Sequence, residues 1–161
     1  MCDYSLYAFN SRLAQDGEEL MLYRFPTGSL GFAATCDVAA HLKRRAEGAT
    51  PWSAFKEWLA PRKTCGFPAV CVPPGARLLL TDVPRTLQNR LGIGVTEPVT
   101  FTQRSSQMYT YRDCVRFMTG AQVLLQELPE GLRAVVLSTA YEEPAVETEI
   151  TAIGDEIGRA S

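Results

Sequence analysis

The sequence predicts a mainly β protein with short inserted helices, an α+β chain whose strands form a partly open β-barrel or a strongly curved antiparallel sheet. Strand-length apolar runs are separated by compact turn signals, among them Pro26-Thr27-Gly28-Ser29, Pro73-Pro74-Gly75, Thr119-Gly120 and Pro129-Glu130-Gly131. Before residue 141, helical periodicity is confined to three short stretches. So many short strands present exposed edges unless the sheet bends on itself, because closure removes them. The 161 residues fit one domain with one core, and 46% hydrophobic against 21% charged residues is the composition of a folded globular chain.

Taken in order, Cys2 to Phe9 alternates and predicts a first strand, ended by a polar turn through Asn10, Asp16 and Gly17. Glu19–Phe25 and Leu30–Ala34 flank Pro26–Ser29 and predict a hairpin. Asp37 has the chemistry of an N-cap for a helix from Val38 to Glu47, closed by Gly48. Pro51 restarts a helix in which Trp52, Phe55 and Leu59 share a face. Ala69–Val72 and Ala76–Thr81 are strands on either side of the proline break. Asp82, with Pro84 behind it, begins a third helix carrying Leu87 and Leu91 and stopped by Gly92. A meander follows: Val99–Gln103, Met108–Met118 and Ala121–Leu128, with Thr119-Gly120 as a two-residue hairpin turn, and then Leu132–Ser138. Residues 1–140 thus form a single β-rich domain with a helical insertion near 37–60, and residues 141–161 an acidic tail expected to be mobile. Within that tail Val146, Ile150 and Ile153 recur at helical spacing and would dock as one face.

The net charge of −2 conceals an asymmetry. Six acids against Arg159 give the tail −5 and leave +3 for the body. A body this weakly basic does not predict nucleic-acid binding. Apolar runs fall short of the roughly 20 residues that span a bilayer, so no membrane partner is expected. The opening residues lack the pattern of an export signal, which predicts a cytoplasmic chain with reduced thiols. The five cysteines, Cys2, Cys36, Cys65, Cys71 and Cys114, have no zinc-finger spacing, and His41 is the one histidine.

Two cysteines stand out. If Met1 is removed, Cys2 offers a thiol beside an α-amine whose reference pKa is about 7.7–8.0, a pair able to act as nucleophile with its own base or as an N,S chelate. Cys71 ends an apolar strand beside a double proline that forces the chain out of the ladder, so its sulfur can face a cavity. With Asp3 or a tyrosine as a further ligand, Cys2 and Cys71 suit a transition-metal ion such as zinc, copper(I) or iron. Tyr109, Tyr111 and Asp113 alternate along one predicted strand face and are candidates to line a ligand. His41 falls within the basic helix and is expected at the solvated surface, and Gly92-Ile93-Gly94 ends a helix instead of opening one and is no phosphate cradle.

Met1-Cys2-Asp3-Tyr4-Ser5-Leu6, Arg24-Phe25-Pro26, Ala69-Val70-Cys71 with its Pro-Gly, and Arg112-Asp113 through Leu125 to Leu137 resemble a group of short bacterial proteins over most of residues 1–140. That group carries no assigned activity, so the resemblance implies no residue roles beyond taking Cys2 and Cys71 together. The expected function is a small protein with a thiol or metal site formed by Cys2 and Cys71. The alternative is a non-catalytic module that binds a small molecule or protein through a sheet face or edge, including a homo-oligomer held by the basic helix and acidic tail.

Overall fold

A computed structural model describes residues 9–47, 66–104 and 111–140; the predicted strand before Phe9, the helix from Pro51 and the acidic tail lie outside the described residues. The described chain forms β1 (Ser11–Leu13), β2 (Glu19–Arg24), β3 (Leu30–Ala34), α1 (Thr35–Glu47), β4 (Ala69–Cys71), β5 (Arg77–Thr81), α2 (Arg85–Leu91), β6 (Glu97–Gln103), β7 (Asp113–Phe117), β8 (Gln122–Leu124) and β9 (Arg133–Ser138). A 3-10 turn, Leu125–Glu127, follows β8. All nine strands join one sheet in the order β1-β4-β3-β2-β9-β5-β6-β7-β8. Neighbours are antiparallel except β1 and β4, which run parallel with Leu13 opposite Cys71. The predicted meander, which begins at Val99, holds from β6 to β8. β9 then crosses back to lie between β2 and β5, so the last of the described strands is a central one.

Two hairpins use the same turn. Gly28 N donates to Phe25 O at 2.8 Å and Phe25 N to Ser29 O at 2.9 Å; Gly120 N donates to Phe117 O and Phe117 N to Ala121 O, each at 2.9 Å. Gly28 and Gly120 have φ of 86° and 85°, the left-handed position that closes a three-residue loop with a bulge. The loop at Thr119-Gly120 is therefore one residue longer than the sequence predicts, with Met118 inside it.

The sheet bends tightly without closing. Phe32 on β3 and Phe101 on β6 are four strands apart in the sheet order, about 19 Å in a flat sheet, yet their ring centroids lie 6.3 Å apart. Six strand intervals separate β3 from β8, and still the Gln126 side chain reaches Leu30: its Oε1 accepts from Leu30 N at 2.9 Å and its Nε2 donates to Leu30 O at 2.8 Å. This amide bridges the seam where a closed barrel would have had backbone pairing. Inside the curl, Leu20, Leu22, Phe32, Leu78, Leu80, Val99, Phe101, Val115, Phe117 and Val136 form the main core, all at or below 4% exposure. Burial of this kind contributes roughly 1.5–3 kcal/mol for each large side chain.

β4 and β1 continue past the seam, and the outer side of β2, β3 and β4 carries a second cluster of Phe25, Ala33, Val38, Phe67 and Ala69, with Phe9, Met21 and Tyr23 at its margin. α1 covers it through Val38. Tyr23 meets Phe25 and Phe67 edge-on, with centroids 5.4 and 5.0 Å away. The helix leaves β3 directly at Thr35, three residues before the predicted start, so Asp37 sits in its first turn, favourable with the helix dipole, and is not the cap. Asp82 does not cap α2 either: it takes φ 54°, and Pro84 occupies the cap position. The predicted strand 121–128 stops at Leu124, where the chain turns into the 3-10 segment that carries Gln126 to the seam.

Candidate functional site

Cys71 closes β4 at the place where the sheet changes partners. Its carbonyl accepts from Ala14 N at 3.0 Å, holding β1 alongside. After Val72 and the two prolines, Gly75 N donates to Phe101 O and Phe101 N to Ala76 O, both at 2.8 Å. The proline break thus moves the chain from the β1/β3 ladder to the β6 ladder, as the sequence leads one to expect. Strand alternation puts Cys71 on the same side as Ala69, the side under α1, and its residue is 8% exposed.

The redox state of that sulfur is the main departure from expectation: Cys71 is disulfide-bonded, whereas reduced thiols are expected throughout. Cys36 and Cys114 are free. The other two of the five cysteines, Cys2 and Cys65, lie outside the described residues, as do Asp3 and Tyr109.

Tyr111 is described. It precedes β7, which starts at Asp113, and is half exposed; its hydroxyl lies 3.3 Å from Ser29 Oγ, a hydrogen bond across the seam beside the Gln126 bridge. Asp113 is buried and accepts from Gln103 Nε2 at 2.9 Å. Cys114 is fully buried, its Sγ 3.4 Å from Thr102 O, and burial first and then the Asp113 charge push its thiol pKa up, which makes it an inert sulfur. His41 is not simply solvated: its ring stands edge-on to Phe67 at 5.4 Å, and a Cβ on Gly66 would come within 2.8 Å of Nδ1.

At the β1 side of this region, Arg12 grips Glu18 with both terminal nitrogens and lies 4.0 Å from Asp37. The hydrogen bond from Arg12 holds the Glu18 carboxyl below the usual carboxylate range, and Gln15 N also donates to it. The Arg12–Glu18 clamp ties the edge strand to the turn before β2; sequence spacing carried no sign of it, since both residues lie in polar stretches where charges are ordinary.

Among the described residues no group of three or more His, Cys, Asp or Glu side chains could hold a metal ion, and no helix is long and apolar enough to cross a membrane. No family model, curated protein or solved structure matches the chain.

Proposed function

We propose that the protein is a small thiol–disulfide protein whose working element is the pair Cys2 and Cys71. The observation that carries this reading is the disulfide at Cys71. Of the two cysteines left as partners, Cys65 is the harder to accommodate. β4 alone separates Ala69 from Cys71 by about 6.6 Å, and Pro68 disfavours a helical turn at Phe67. Bringing the Cys65 and Cys71 Cα atoms within the roughly 4.4–6.8 Å of a disulfide would require the chain to double back along β4. Both edges of that strand are occupied, by β1 and β3. Cys2 precedes Ser11, the first residue of β1, by nine residues, a length of chain that can span up to about 30 Å.

If the chain works in the cytoplasm, its disulfide is ordinarily transient, and the pair then has a reaction. In the reduced protein one thiolate attacks a partner's disulfide sulfur and releases the partner's other sulfur as a thiolate. The second cysteine, as thiolate, then attacks the mixed disulfide, leaving the Cys2–Cys71 bond and a reduced partner. Two electrons pass to the partner and each thiol gives up one proton. A metal ion would instead require both sulfurs as thiolates, with Asp3 as third ligand, and so belongs to the reduced form.

Tryptic digestion without reductant tests the assignment. The expected product joins the peptide ending at Arg12 to Thr64–Arg77; it persists in Cys65→Ser and is lost in Cys2→Ser. A Thr64–Arg77 peptide closed on itself overturns the pairing. Equal metal content in protein reduced under anaerobic conditions and its Cys2→Ala and Cys71→Ala variants would remove the metal form.

A further inference from the structure

The outer side of β9, β5, β6 and β7 carries a chemistry that the main core, the α1 cluster and the cysteine region do not use. Cross-strand register places Val135, Leu79 and Pro98 side by side as one row. Arg133 lies beyond it on one side, opposite Thr81. On the other side Arg77, Thr100 and Arg116 form the next row. Leu137 is exposed at the register shift between these rows. Arg77, Arg116 and Arg133 are all exposed. The surface is thus an apolar strip with guanidinium groups on both flanks.

We infer that this face is the docking site of the chain's own acidic segment, residues 141–161. That segment has the complementary pattern: Val146, Ile150 and Ile153 at helical spacing, bordered by Glu142, Glu143, Glu147 and Glu149 and carrying −5 overall. It also starts in the right place. It follows β9, a central strand of the sheet, and Ser138 pairs with Arg77. The exit is tied down by Thr139 N donating to Asp16 Oδ1 at 2.7 Å and Ala140 N to Ser138 Oγ at 3.2 Å. As a helix, 21 residues extend about 31 Å, ample to cross the roughly 15 Å of four strands. The basic end of α1, with Lys43, Arg44 and Arg45, is a poorer acceptor, since it pairs its charges with one exposed apolar side chain, Leu42, and no row.

A glutamate-specific protease reads the docking in the full-length protein, because its sites lie within the segment. In wild type, cleavage at Glu147 and Glu149 is expected to be slow and to accelerate roughly fivefold in R116E/R133E or in 1 M salt, the scale of breaking a few exposed ion pairs together. V146S/I150S, which leaves the sheet untouched, should accelerate it similarly, so the outcome does not hinge on folding of the arginine variant. Equal cleavage rates in wild type and both variants would overturn the inference. So would protection that grows with protein concentration alongside a dimer in sedimentation, since the occupant would then be a second copy.

Discussion

Gln126 replaces a strand with a side chain. Its amide presents an acceptor and a donor spaced like a peptide group, and it satisfies both the N–H and the C=O of buried Leu30 at the seam. Removing it strands two buried backbone groups, so Gln126→Ala should lower stability by about 2 kcal/mol in urea unfolding; a loss below about 0.5 kcal/mol would mean that water substitutes freely. Arg12 and Glu18 make a second residue-scale prediction. Because Glu18 has a lower pKa in the folded than in the unfolded chain, its stabilisation is present above the unfolded value and fades as pH falls through the folded one. Glu18→Gln should therefore cost about 1 kcal/mol at pH 7 and much less at pH 3, compared by denaturant midpoints at both pH values. None of these contacts was legible beforehand: glutamine at 126 reads as an ordinary polar position, and a side chain that pairs over 96 residues leaves no local mark.

Turns and strands read well from the sequence because their causes are local. Proline, glycine and alternation located β2, β3, β5 and β9 within one or two residues, and the break after Cys71 fell where two successive residues without a backbone N–H must fall. What failed were boundaries set from a distance. The start of α1 at Thr35 follows from packing on β2 and β3, and the early end of β8 follows from the need to bring Gln126 to the seam. Asp82 misled as a capping residue because its short side chain equally suits a left-handed turn. The paired bulge turns carry a prediction at this scale. Gly28→Ala and Gly120→Ala force an L residue to φ near 85°, and each should cost about 1–2 kcal/mol by thermal or denaturant unfolding. Open space around both positions leaves conformation as the cause. The candidate site was legible by half: composition and the proline break singled out Cys71, but its oxidised state depends on a partner that spacing does not choose.

At the scale of the molecule, the curl makes residues far apart in the sheet order into neighbours. Phe32 and Phe101 should show a coupling energy of about 0.5–1.5 kcal/mol in a double-mutant cycle with leucine at each position. Strict additivity would mean that the two halves of the sheet fold as independent layers. The placement of β9 has a consequence for how the protein comes into being. Because this central strand is the last of the described strands to be made, a chain still on the ribosome holds two half-sheets whose facing edges, on β2 and β5, have no mate until residues 133–138 emerge. The domain cannot assemble piecemeal as it is synthesised, and any pause before that strand leaves two hungry edges for another nascent chain to fill.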